Sequence, residues 1–218
     1  MACPMSENVT QVTNHWWWRP GWRTGRHFYA CHLTLNDQPE LRALVAEYQA
    51  ATKELAMLDP IPAQWLHLTT QGIGFVDEIS RNEFADIRYH LTESLRKIAL
   101  PVLTFEHPTI WPEAVYLRAR PAESLYRVRQ RIHDAVLTVL GSERFTEPMP
   151  KPEDYTPHVS VAYVNDDASA APIAAALARV RAKPVTATFT KADLLVFHRD
   201  NKMYEWTSAT PISFGMLG

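Results

Sequence analysis

Two short segments of the sequence carry chemistry: Trp65-Leu66-His67-Leu68-Thr69 and Pro157-His158-Val159-Ser160-Val161, with 91 positions from one histidine to the other. In each, an imidazole and a hydroxyl stand two residues apart within an apolar run. Alternate side chains share a face of a strand, so His67 and Thr69 point one way while Leu66 and Leu68 point the other. His158 and Ser160 oppose Val159 and Val161 in the same manner. Brought together, two such strands present two imidazoles and two hydroxyls to one point, a set suited to a phosphate diester. Imidazole titrates near neutrality, so one ring can take a proton from an attacking water or hydroxyl while the other protonates the leaving oxygen. The hydroxyls can donate to the non-bridging oxygens. This chemistry requires no metal and no cofactor.

The tripeptide alone is a weak signal, because Cys31-His32-Leu33-Thr34 has the same form in a chain with 9 His. What sets His67 and His158 apart is a matched setting. Each follows a proline-containing loop (Pro60 and Pro62; Pro152 and Pro157), opens a short apolar strand and precedes a loop and helix. His32 runs into a helix almost at once, so its replacement is expected to leave turnover within a few-fold. Metal hydrolysis is disfavoured, since neither His-Glu-x-x-His nor Cys-x-x-Cys is present. A serine nucleophile at Ser160 lacks the Gly-x-Ser-x-Gly elbow. The rival reading is a catalytically silent protein that binds a nucleotide or RNA end; both histidines and both hydroxyls are intact, which favours an enzyme.

The elements that must position these residues alternate along the chain. The spacing predicts a strand over 26–35, a helix capped near Asp37 and running to about 57, a strand over 65–71 followed by a glycine-containing loop, and a helix over 80–98. A strand pair over 100–106 and 114–118 then brackets a connection at 109–112. A helix over 122–140 stops at Gly141, a strand covers 157–164, an alanine-rich helix 169–182, and two last strands 185–198 and 202–209. This order excludes separate all-α and all-β domains and reads as an α+β fold with two lobes and internal pseudo-repetition. Residues 1–25 read as an N-terminal extension, its first fourteen residues loose, and residues 26–218 as one domain.

Composition sets outer limits. At 218 residues, 46% hydrophobic and 21% charged, the chain can build a substantial core. Lys plus Arg is 22 against 24 Asp plus Glu, a net charge of −2, so any contact with nucleic acid is local. Two cysteines, Cys3 and Cys31, the lack of a signal-peptide pattern and of any long apolar run point to a cytoplasmic protein with no membrane partner. Four of the 7 Trp lie together in Trp16-Trp17-Trp18-Arg19-Pro20-Gly21-Trp22-Arg23, a loop that either stacks bases beside Arg19 and Arg23 or plugs the edge of a lobe. Arg127, Arg129 and Arg131 read as a solvated helix face.

The paired His-x-Thr/Ser motifs resemble those of the two-histidine phosphoesterase superfamily, in particular its bacterial 2′-5′ RNA ligase or RNA 2′,3′-cyclic phosphodiesterase branch. The resemblance runs from Arg26-His27-Phe28-Tyr29-Ala30, similar to the family's opening strand, to the last strand. It implies two pseudosymmetric lobes of mainly antiparallel sheet with outer helices around a central cleft. It also implies metal-independent opening of 2′,3′-cyclic phosphate ends of RNA or small nucleotides to 2′-phosphates, with weak reverse ligation. By the resemblance His67 is the general acid toward the leaving 3′ oxygen, His158 the base for water, and Thr69 and Ser160 the phosphate donors. Tyr155 and Arg199 are expected to line the cleft and touch substrate. The expected partner is an RNA 3′ end or a small cyclic nucleotide, and the protein is expected to act as a monomer. Two departures from the family pattern are Gln71-Gly72-Ile73-Gly74-Phe75 after the first motif and Ser160 in place of threonine in the second.

Overall fold

The computed structural model describes residues 9–145 and 147–215. In chain order its elements are β1 (Gln11–Val12), β2 (Phe28–Thr34), α1 (Pro39–Thr52), β3 (Leu58–Pro60), β4 (His67–Phe75), α2 (Arg81–Leu95), β5 (Val102–Trp111), β6 (Ala114–Arg120), α3 (Ala122–Leu140), β7 (His158–Val164), β8 (Ala168–Ser169), α4 (Ala171–Leu177), β9 (Val185–Thr188), β10 (Lys191–His198) and β11 (Glu205–Ser213). Among the described residues, nine strands make one antiparallel sheet in the order β11-β10-β2-β4-β7-β6-β5-β9, with β3 added along β7.

That order is symmetric outward from β4 and β7. The runs β2-α1-β4-α2 and β6-α3-β7-α4 repeat one another, and each half supplies one central strand. Helices α1 and α4 pack behind the β7 half, and α2 and α3 behind the β4 half, so the helix before each inner strand crosses to cover the other lobe and the helix after it stays with its own. Only Phe189 and Thr190 separate β9 from β10, which lie in opposite lobes. Three Cα steps of about 3.8 Å bridge roughly 11 Å at most, so the sheet must curl until its halves approach each other.

The helices form for local reasons. Leu125, Val128, Ile132, Val136 and Leu140 put one apolar face of α3 in the core. Gly141, at φ 72°, ends it with its amide bonded to the Leu137 carbonyl at 2.9 Å. Ser80 and Glu83 close a reciprocal box at the start of α2, with the Ser80 amide 2.8 Å from Glu83 Oε2.

Several boundaries differ from the sequence expectation, each for a tertiary reason. α1 stops at Thr52, because Leu58–Pro60 is drawn into the sheet against β7. Its cap position is Gln38, not Asp37, whose carboxylate instead faces Lys191 at 3.4 Å. Gly72, Ile73 and Gly74 continue β4 along β2, where a loop was expected. The connection between β5 and β6 is only Pro112-Glu113, and the single strand expected over 185–198 is two strands in opposite halves of the sheet, β9 at one edge and β10 between β11 and β2. α4 covers only Ala171–Leu177. Residues 9–14 are not loose: Gln11 and Val12 pair with Ser169 and Ala168, and Val12 is buried. Residues 1–8 lie outside the described residues.

Candidate active site

Strands β4 and β7 are paired at one position, Leu68 opposite Val159, and both side chains are fully buried on the core side. Counting outward along antiparallel strands sets His67 across from Ser160 and Thr69 across from His158. All four polar side chains therefore emerge on the opposite face. A local pseudo-twofold through the Leu68–Val159 pair exchanges the two histidines and the two hydroxyls. Away from that pair the strands diverge, and the four residues line a single cleft of about 500 Å³, a volume in the range that holds a nucleotide-sized ligand.

The imidazoles are held alike. His67 Nδ1 lies 2.9 Å from the Trp65 carbonyl, and His158 Nδ1 lies 2.9 Å from the Thr156 carbonyl. A carbonyl only accepts, so Nδ1 carries the hydrogen in both rings and Nε2 is left for a ligand. Each backbone turn before the strand thus fixes a tautomer as well as a ring position. Burial lowers the pKa of both imidazoles; the second ring adds to this at His67, and Arg118 at His158. In the free enzyme both are neutral at pH 7, and an incoming phosphate anion favours protonation of one.

A pH dependence follows. In kcat/KM the acidic limb reports the base losing its proton in the free enzyme and the basic limb reports the acid losing its own. Both pKa values lie below the ordinary 6.5, so the bell in kcat/KM is expected to peak below pH 6.5. The kcat profile, set by the phosphate-bound form, is expected to peak at higher pH. Steady-state kinetics from pH 4.5 to 8.5 checks both.

Aromatic side chains extend the symmetry. Trp206 stands edge to face on His67 at 6.0 Å and 83°, and Trp111 on His158 at 5.2 Å and 81°. His32 departs from expectation. It pairs with Thr69 across β2 and β4, which puts it on the cleft face. Its ring stacks on His67 at 5.2 Å and 10°, so His32 fixes the plane of a ring that must present Nε2 to phosphate. His32→Ala is expected to lower kcat on the order of tenfold, more than the few-fold expected from sequence, with KM little changed. His32→Phe, which keeps a stacking ring, should recover most of that loss in the same assay.

A bulge in the pairing of β6 with β7 near Val115 and Tyr116 moves Tyr163 onto the Ser160 face. The Tyr163 ring stacks on His15 at 4.3 Å. His15 Nε2 is hydrogen-bonded with the Tyr204 hydroxyl at 3.0 Å, and His15 Nδ1 lies 3.2 Å from Glu113 Oε2. Arg19 Nη2 reaches the same oxygen at 2.8 Å. His15, Arg19, Glu113, Tyr163 and Tyr204 all line the cleft. Sequence reasoning passed over all of these but Arg19, because a loop, a hairpin turn and a bulge bring them together.

The tryptophan loop is divided: Trp16 and Trp22 pack against the fold, while Trp17 and Trp18 face outward. Trp16 bonds Asp59 Oδ2 through Nε1 at 3.0 Å, and Trp22 packs on Phe28, Phe75 and Phe197. Trp17 and Trp18 are 50% and 51% exposed. Tyr155 is a correction. It does not line the catalytic cleft: it is buried beside Tyr126 and under Arg129, at the wall of a separate depression, with its hydroxyl 3.5 Å from the Thr69 carbonyl. Arg199 is another: only 4% exposed, it lies behind the aromatic wall and does not line the cleft. Arg127 and Arg131 are solvated, but Arg129 is half-buried, 3.6 Å from Glu147, because its position on α3 faces β4.

Two buried histidines make the fold sensitive to acid. Burial, assisted by Arg19, lowers the pKa of His15 to about 4; burial, assisted by His67, lowers that of His32 to about 3. An unfolded histidine titrates near 6.5, so below that pH the unfolded chain takes up protons that the folded chain refuses. Stability is full above pH 6.5 and falls toward pH 4, by roughly 1.4 kcal/mol per pH unit for each ring. Urea titrations at pH 7 and pH 5 are expected to show the loss, and His32→Phe to reduce it.

Residues 36–201 match the family described as the 2′-5′ RNA ligase superfamily. The chain belongs to that family, whose members process phosphoesters. Its fold is that of TT0787 of Thermus thermophilus (20% identity, TM-score 0.61, covering 86% of this chain and 97% of that one). It is also that of E. coli LigT, solved with phosphate (15% identity, TM-score 0.57, 88% and 99%) and with 3′-AMP (16%, 0.58, 86% and 98%). No curated protein sequence matches the chain. Among the described residues, no three His, Cys, Asp or Glu side chains come together as metal ligands, and no helix is long and apolar enough to cross a membrane.

Proposed function

We propose that the protein is a metal-independent cyclic phosphodiesterase that opens 2′,3′-cyclic phosphate ends of RNA or small nucleotides. The observation that carries this is the pseudo-twofold arrangement of His67 with Thr69 and His158 with Ser160, each imidazole tied back through Nδ1. Phosphate sits between the rings, its non-bridging oxygens accepting from Thr69 and Ser160. His158 Nε2 takes a proton from water as the water oxygen bonds to phosphorus. His67, protonated at Nε2, gives its proton to the 3′ oxygen as the P–O3′ bond breaks. The product is a 2′-phosphomonoester, and the two rings have exchanged protonation states, which solvent restores. Ligation uses the same steps with a 5′-hydroxyl in place of water, giving a 2′-5′ link.

The four groups come from one chain, so a monomer holds a complete centre. The phosphate and 3′-AMP complexes of E. coli LigT accord with a ligand of this class. The test uses an oligoribonucleotide ending in a 2′,3′-cyclic phosphate, incubated with the protein in EDTA, with the product end identified by mass and by 2′- and 3′-phosphate standards. A 2′-phosphate formed at the same rate with and without EDTA is expected. Turnover that needs an added divalent metal contradicts the proposal, and tight binding without turnover supports the silent-binder reading in its place.

A further inference from the structure

Resting on that reading, we propose that the Arg19 end of the cleft is a second anion subsite, holding a phosphate of the substrate other than the one that reacts. Arg19 comes from the tryptophan loop, outside the residues 36–201 that match the family, and it lines the same cleft as His158 and Ser160.

The charges at this end do not balance. Two guanidiniums, Arg19 and Arg199, are served by one carboxylate, Glu113. That carboxylate already accepts from Trp17 Nε1 at 3.1 Å and Arg19 Nη2 at 2.8 Å, with His15 Nδ1 at 3.2 Å. Arg199 is 4% exposed and lies over the rings of Trp16, Trp22 and Tyr204 at 5.6, 5.7 and 5.2 Å. Among the described residues its Nε and Nη1 have no hydrogen-bond partner, and Nη2 reaches only the His15 carbonyl at 3.4 Å. A buried cation without a counter-charge is costly, and aromatic faces offset only part of that cost.

Trp22 and Tyr204, which Arg199 backs, form cleft wall on their other side. An anion placed there meets an unneutralised positive field through low-dielectric material. Arg19 adds direct contact. Its side chain is 37% exposed, its Nε is buried with no partner, and a guanidinium fork matches two phosphate oxygens at once. At another part of the lining the carboxylate of Glu147 lies 3.6 Å from Arg129, so that pair leaves no surplus positive charge there. The cleft is therefore polarised, and a substrate with a second phosphate is oriented with that group toward Arg19. A 5′-phosphate on the reacting nucleotide and the next backbone phosphodiester both have this chemistry.

Calorimetric titration separates the possibilities with three probes: adenosine 2′-phosphate, adenosine 2′,5′-bisphosphate, and a diadenosine ending in a 2′-phosphate whose other phosphate is internucleotide. The bisphosphate, the dinucleotide or both are expected to bind about tenfold tighter than the monophosphate or better, and which of them gains identifies the source. Arg19→Gln should bring the ratio to about one, Arg19→Lys should keep part of it, and Arg23→Gln, which removes a partner of Asp77, should leave it intact. Glu113→Gln removes the competing carboxylate and should raise the ratio, a change of opposite sign that damage to the loop would not produce. Equal affinity for all three probes in the wild type, or a preference that survives Arg19→Gln, overturns the subsite. Equal affinity alongside turnover of a cyclic phosphate leaves the proposed function standing; a preference without any turnover does the reverse.

Discussion

His67→Ala and His158→Ala each lower turnover of a 2′,3′-cyclic phosphate by about 10²–10⁴-fold, the contribution expected of one positioned acid or base. The fold should survive both changes. Both rings stand on the cleft face, and the core between the lobes is filled by their neighbours Leu68 and Val159. The loss should fall on kcat, because neutral rings contribute little to ground-state binding of an anion. The double variant should lose little more than the worse single one, since an acid without its base no longer completes the proton circuit. Single-turnover rates with thermal unfolding of each variant check this. A loss in rate matched by a large fall in Tm would mark the histidines as structural.

Thr69→Val and Ser160→Ala are expected to cost on the order of 10²-fold each, as removal of one preorganised donor to developing charge does. The pseudo-twofold makes the prediction sharper than a list of contacts would. If the two hydroxyls serve equivalent oxygens of one phosphate, their losses should be similar in size and should appear in kcat more than in KM. Thr69→Ser, which restores the arrangement already present at Ser160, should keep most of the activity. A large effect at one hydroxyl and none at the other contradicts a centred phosphate. Kinetics of the three variants on one cyclic nucleotide decides it.

What could be read from the sequence was what local periodicity encodes. The alternation that puts His67 with Thr69 and His158 with Ser160 is a property of five residues, and α3 is legible from its apolar spacing and Gly141. The pairing of Leu68 with Val159 is not local, yet it turns two weak tripeptides into one centre. His32 shows the limit well. Its place on the first strand was legible, but its stacking on His67 depends on the register of β2 with β4, which two shifts in pairing alter. The same limit hid Tyr163, which a bulge brings to the cleft face, and made Tyr155 look like a cleft residue on proximity to His158 alone. Glu113 and His15 sit in a hairpin turn and an N-terminal loop, where no period exists to read. Arg199 was singled out by its turn, and the structure gives it a different place, behind the wall, where its charge still bears on the cleft.

The central claim is that these two histidines open a cyclic phosphodiester without a metal. ³¹P NMR of a nucleoside 2′,3′-cyclic phosphate in EDTA, followed over time with the wild-type protein and with the His67→Ala/His158→Ala double variant, tests it most directly. The cyclic resonance should give way to a single phosphomonoester signal with the wild type and persist with the double variant. Persistence of the cyclic resonance with the wild type, or its disappearance at equal rates with both proteins, would contradict the account.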